Sequence, residues 1–130
     1  GELMNYKRKI PAENATKVVL NRSDFLESVE RASLLAKVGK NNLIKLDIKD
    51  GNIEITSKSE EGNVKEEVIA TKEGNDLVIG FNSKYMIDAL KVIDDESITM
   101  FFNTSVSPCL VKPVTGDSFE YLILPVRISQ

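Results

Sequence analysis

Three pairs of neighbouring acids, Glu60-Glu61, Glu66-Glu67 and Asp94-Asp95, are the residues of this chain best suited by type to hold a divalent cation or to work as a general acid and base. Neighbouring acids at turns and strand ends ordinarily form solvated surface. The chain has no histidine, the commonest general base and metal ligand. Its single cysteine, Cys109, excludes an internal disulfide and a thiolate zinc cluster. Cys109 lies in the apolar run PCLVKP and reads as a small buried hydrophobe. There is no GxxxxGK phosphate loop and no GxSxG elbow. The expectation is a non-enzymatic protein, with no catalytic residues, metal or cofactor.

Binding is the other chemistry open to it. The chain ends YLILPVRISQ, a nearly unbroken apolar run with Pro125 inside it and Arg127 after it. A buried last strand accounts for the apolar residues, but a proline cannot donate to a sheet ladder and is confined to edges and bulges. Lys84 and Lys91, seven apart, share one face of a predicted helix with Asp88 between them. That is a solvated face with weak ion pairs in one reading and a weak contact to DNA phosphates in another. The net charge of -3 gives the whole molecule no strong pull on a phosphate backbone.

The elements that position these residues can be read from hydrophobic period. GELMNYKRKIPAENA, residues 1–15, mixes apolar and basic residues, breaks at Pro11 and reads as a connector; residues 16–130 read as one domain. TKVVL is β-branched and predicts a strand over 16–20. Phe25, Val29, Ala32 and Ala36 then recur at helical spacing, with Asn21 or Ser23 as cap and Lys37 and Gly39 near the end. Asp50-Gly51 between two alternating runs predicts a hairpin, and a third strand follows near 64–71. From Asp76 the pattern restarts: DLVIGF is a strand, and NSKYMIDALKVI is a helix capped by Asn82 or Ser83 with Tyr85, Met86, Ala89, Leu90 and Ile93 on its stripe. SITMFF, PCLVKP and EYLILPVRI are three more strands.

Strand, helix and three strands thus occur twice. Val18, Val19, Ser23 and Phe25 match Val78, Ile79, Ser83 and Tyr85 at an offset of about sixty, the mark of an internal duplication. Two helices cannot cover both faces of eight strands, so an α+β fold with both helices on one side of antiparallel sheets is expected. On the first helix Leu34 falls opposite the core stripe and should be exposed unless another chain covers it. No stretch approaches the roughly 20 apolar residues of a membrane helix, and no leader is evident. A cytoplasmic protein without a membrane partner is expected, and the Asn14-Ala15-Thr16 and Asn103-Thr104-Ser105 glycosylation patterns are taken as accidental.

The segments YKRKIP, FNSKYMIDALK and above all YLILPVRI resemble the C-terminal (third) domain of the bacterial DNA polymerase III beta subunit, the sliding clamp, over essentially the whole chain. The resemblance implies the DNA-clamp fold and a processivity factor. Two subunits of three such domains each close head to tail into a ring around duplex DNA, held non-specifically. It also implies a pocket for the clamp-binding peptide motif, near Gln-Leu-x-Leu-Phe, of DNA polymerases, the clamp loader and repair proteins. Matched onto this chain, that pocket draws on Met4, Arg8, Lys9, Tyr85, Val106, Pro108, Leu122, Leu124, Pro125, Val126 and Arg127. The subunit contact of the homodimer would use Leu34 and Leu35, and Lys84 and Lys91 would face DNA. The alternative is a stand-alone peptide-binding or structural β-rich module unrelated to replication.

Overall fold

The computed structural model describes residues 15–38, 42–59, 62–116 and 118–128. Met4, Arg8 and Lys9, the connector before Ala15 and the pair Glu60-Glu61 lie outside the described residues. The elements run β1 (Thr16–Asn21), α1 (Arg22–Val38), β2 (Leu43–Lys49), β3 (Asn52–Ser59), β4 (Gly62–Gly74), β5 (Leu77–Asn82), α2 (Ser83–Lys91), β6 (Ser97–Phe102), β7 (Cys109–Pro113) and β8 (Tyr121–Ile123). Strand, helix and three strands follow one another twice, as the periodicity predicts.

Alternation builds the sheet. Val18 and Leu20 of β1, Ile44, Leu46 and Ile48 of β2, and Ile53 and Ile55 of β3 are buried, while their neighbours face outward. The Asp50-Gly51 turn joins β2 to β3, and Gly51 takes φ +85°, a conformation open to glycine at little cost. All eight strands pair antiparallel in the order β5-β2-β3-β4-β1-β6-β7-β8. The two ends of that order meet: the Val126 N–H donates to the Gly80 carbonyl at 2.9 Å, so the sheet curls until the chain after β8 touches β5.

The helices pack on one face and against each other, α1 over β2, β3 and β4, and α2 over β5 and β8. Both begin on an asparagine cap. Asn21 Oδ1 accepts from the Asp24 N–H and Asn82 Oδ1 from the Lys84 N–H, each at 2.9 Å. Arg22, the first residue of α1, donates to the Leu90 carbonyl at 3.0 Å and the Asp95 carbonyl at 2.8 Å. It thereby satisfies a carbonyl in the last turn of α2 and ties the two halves together.

The duplication is present, with its register moved by one residue. Phe25, Val29 and Ala32 are buried on α1, and Met86, Leu90 and Ile93, each 61 positions later, are buried at α2 and just beyond it. Val18 and Leu20 correspond in the same way to the buried Ile79 and Phe81. Tyr85 therefore does not match Phe25 and does not belong to the core stripe; it is 63% exposed. Ala36, the last member of the α1 stripe, has its side chain outside the described set.

Two strand limits also differ from expectation. β4 extends well beyond 64–71 at both ends, and the last strand stops at Ile123, leaving Pro125 and Arg127 outside it. Among the described residues no helix is long and apolar enough to cross a membrane.

Candidate functional site

The end of the chain is arranged by two pairings. β8 runs beside β7 with Cys109 opposite Ile123 and Leu110 opposite Leu122, so the same register brings Pro108 abreast of Leu124 one step further on. The Val126–Gly80 bridge then seats the chain beside β5, two residues before the cap of α2 and five before Tyr85. The β7–β8 register thus sets Pro108 level with Leu124, and the bridge sets Val126 beside the strand that leads into the helix carrying Tyr85.

Burial divides them by face. Ile123 is buried, while Leu122 on one side of it is half-buried and Leu124 on the other is 70% exposed. Leu122 and Leu124 thus lie on the face opposite Ile123. Val106, Val126 and Tyr85 are exposed as well, and Pro108 and Pro125 are partly covered. Arg127 is exposed and has no partner among the described residues. Exposed apolar side chains of this kind, with Arg127 following them in the chain and unpartnered among the described residues, would suit a ligand that brings aliphatic or aromatic anchors and an acceptor.

Val106 sits in a self-bonded turn. Thr104 Oγ1 accepts from the Val106 N–H at 3.2 Å and lies 2.8 Å from Ser107 Oγ, and the Ser107 N–H donates to the Thr104 carbonyl at 3.3 Å. Gly80 makes the approach of the last segment feasible. A Cβ there would stand 2.9 Å from the Val126 carbonyl oxygen and 2.8 Å from Ile128 Cγ1. Gly80 is absent from the sequence-predicted site, although a lone glycine inside the strand DLVIGF is the signal for a close backbone approach.

The other predicted residues fall elsewhere. A groove of about 510 Å³ between α1 and α2 is lined by Glu30, Ser33, Leu34, Lys84, Ile87 and Lys91 among others. Leu34, expected at a subunit contact, and Lys84 and Lys91, expected toward DNA, therefore share one concavity. Leu34 is 65% exposed, as its position opposite the core stripe predicts, and Leu35 is half-buried. Lys91 pairs with Glu30 across the helices at 3.8 Å.

Among the described residues the paired acids are exposed or half-buried. Glu66 pairs with Arg31 at 3.0 Å, Glu67 accepts weakly from Asn52 at 3.4 Å, and Asp94 is exposed. Cys109 is fully buried, and burial pushes its thiol far above the ordinary range, so it stays protonated and inert.

Comparison with known proteins gives this arrangement a family. The sequence model of the DNA polymerase III beta subunit, C-terminal domain, matches residues 7–127. The chain belongs to the DNA polymerase III beta subunit family. It is 44% identical over 129 residues to the beta sliding clamp of Staphylococcus epidermidis, covering 98% of this chain and 34% of that protein.

The fold agrees. The DNA polymerase III beta subunit of Thermotoga maritima superposes with a TM-score of 0.89 at 40% identity, over 96% of this chain and 34% of the other. The DNA polymerase sliding clamp of Bacillus subtilis superposes with a TM-score of 0.86 at 41% identity, over 92% of this chain and 32% of the other. The chain thus spans about a third of the length of these beta subunits, in the part that the family model describes as the C-terminal domain.

Proposed function

We propose that this chain acts as the C-terminal domain of a sliding clamp, a non-catalytic processivity factor. It would dock short clamp-binding motifs of polymerases, the clamp loader and repair proteins, and supply part of a ring around duplex DNA. Residues 1–15 serve as the connector from a preceding domain and residues 16–130 as the clamp domain. The observation that carries this reading is exposure: Leu124, Val126, Val106 and Tyr85 are all exposed, as is Arg127, which has no partner among the described residues.

In this reading Leu122 and Leu124 form the apolar floor for the motif's Leu and Phe, with Pro108, Pro125, Val106, Val126 and Tyr85 around it. Arg127, with Arg8 from the connector, holds the peptide backbone or an acidic neighbour by charge-assisted hydrogen bonds, and Met4 and Lys9 complete the connector side. Leu34 and Leu35 take the contact with a second subunit. Lys84 and Lys91 face DNA loosely, as a sliding contact requires, since phosphate contacts carry no sequence information.

Titration of the chain with a Gln-Leu-x-Leu-Phe peptide, followed by amide NMR, tests this. Saturable shifts confined to Tyr85, Val106 and residues 122–127 are expected. Leu124→Asp should weaken binding by about thirtyfold or more, the loss of one hot-spot contact of about 2 kcal/mol. Shifts spread elsewhere, or binding indifferent to Leu124→Asp, would count against the site. If the unaltered chain shows no shifts at millimolar peptide, the same titration with a preceding domain attached decides whether that domain completes the pocket.

A further inference from the structure

In β7 the alternation of burial has an exception. Cys109 and Val111 are fully buried in the core, so Leu110 between them points to the outer face of the sheet. Leu110 is nevertheless only 6% exposed, and it stands apart from the core cluster. An outward side chain is covered by neighbours on its own face. The register supplies them: Phe101 of β6 lies opposite Leu110 on one side and Leu122 of β8 on the other, at Cβ separations of about 5 Å. Phe101 and Leu122 are themselves half-buried. These three residues make a small apolar layer on the outside of the sheet.

The layer has polar limits on two sides. Opposite Phe101 on β1 stands Lys17. One outward row along, Thr99 faces Lys112, which pairs with Glu120 at 3.6 Å. One outward row the other way, Pro108 is level with Leu124. The layer therefore continues toward Pro108 and Leu124 and ends in polar side chains at Lys17 and Lys112. Leu122 is its least supported member. Among the described residues β8 is a strand of three residues that pairs with β7 alone. Leu110 is thus the one residue directly opposite Leu122 on its face.

We propose that Leu110 is a positioning residue of the peptide site: it supports Leu122 from the β7 side, and Phe101 supports Leu110 in turn. The inference rests on the peptide-docking reading above. Leu110 is too well covered to meet a peptide itself. It fills the outer face beside Leu122, so that the Leu122 side chain stands in one place and does not fold into a gap. An anchor already held in this way loses less freedom when an apolar side chain of the motif packs on it.

Methyl and amide NMR of the 130-residue chain, first free and then titrated with the Gln-Leu-x-Leu-Phe peptide, tests the proposal. Leu110→Ala should move the Leu122 methyl signals before any peptide is added. It should then weaken binding about fivefold, as expected when one side chain at the contact must be ordered anew. Leu110→Met keeps the volume and should hold affinity within about twofold. Phe101→Ala acts from one strand further away, with a smaller shift at Leu122 and about threefold weaker binding expected; it carries the test if Leu110→Ala does not fold. Val19→Ala removes an outward side chain of β1 in the row of Thr99 and Lys112, and should leave affinity unchanged whatever it does to the melting temperature. Unaltered affinity and unmoved Leu122 methyls in Leu110→Ala and Phe101→Ala, in a chain that still loses binding on Leu124→Asp, would overturn the positioning role and leave the site standing. A loss in Val19→Ala as large as in Leu110→Ala would overturn it too. Failure of the unaltered chain to bind, with or without a preceding domain, would remove the site and this proposal with it.

Discussion

β4 and β8 close the two halves of the duplication, and they end differently. β4 runs from Gly62 to Gly74 and pairs with β1 over five successive positions, from Thr16 opposite Gly74 to Leu20 opposite Ala70. β8 stops at Ile123, and the chain beyond it meets β5 at the single bridge Gly80–Val126. Because Val19 pairs with Thr71 as Gly80 pairs with Val126, the residues of the two ends can be matched one by one. Val68 answers to Ile123, Ile69 to Leu124, Ala70 to Pro125, and Lys72 to Arg127.

The matched positions show how a ladder end becomes a binding surface. The Ala70 N–H donates to the Gly51 carbonyl at 3.1 Å on the β3 side, and Pro125 at the equivalent place has no N–H to offer β7. The β7–β8 ladder therefore ends where the β3–β4 ladder continues. The cations diverge in the same way. Lys72 is all but buried, with its Nζ 2.6 Å from Asp76, 2.8 Å from the Gly74 carbonyl and 3.1 Å from Asp50. Arg127 is exposed and unpartnered among the described residues. One half uses its last strand to fasten two turns, and the other leaves the same positions open.

The largest effect expected from this comparison tests its register. Met86 is the buried counterpart of Phe25, so Met86→Ala should cost about 2–5 kcal/mol. Tyr85→Ala should stay within about 0.5 kcal/mol while weakening the peptide. Urea unfolding of the two variants decides, and a reversed order would restore the offset of sixty. A middle effect is expected at the bridge. Gly80→Ala places a methyl against the Val126 carbonyl and should destabilise by about 1–3 kcal/mol, the range for overpacking, with peptide binding lost as residues 124–128 shift. Val19, the counterpart in β1, already carries a side chain. Wild-type affinity in Gly80→Ala would mean that the bridge does not set the site.

The smallest effect lies in the cations and is read as a slope. Hydrogen bonding to Asp76, and then to Asp50, raises the Lys72 pKa above its ordinary 10.5 in the folded state, against an opposing contribution from burial. The stability it supplies is complete below pH 10.5 and lost as the pH rises through the folded value. Lys72→Met should therefore be less stable at neutral pH and lose stability less steeply in alkali, as thermal melts from pH 8 upward would show. Arg127→Met should change neither the melts nor their slope and should weaken only the peptide. A flat alkaline profile in the unaltered chain would break the contrast.

Much of this was legible in the residues themselves. Asparagine before each helix, Asp-Gly between alternating runs, and the apolar stripe of Phe25, Val29 and Ala32 act through local geometry, and local geometry is written in neighbouring residues. Leu34 opposite that stripe follows from the same period. YLILPVRI marked both the family resemblance and a last strand that a proline must interrupt.

What the tertiary structure decided is whatever depends on which face a residue turns and on what lies opposite. Val18-Val19 and Val78-Ile79 are adjacent apolar pairs, so an offset of sixty or of 61 fits their types equally, yet one residue of slip turns every side chain of a strand to the other face. In the same way Tyr121-Leu122-Ile123-Leu124 is apolar throughout, and only the sheet makes Ile123 core and Leu124 surface. The grip of Asn103 on Ala15 and the clasp of Lys72 join residues far apart in the chain or in separate turns, where no period in the sequence relates them.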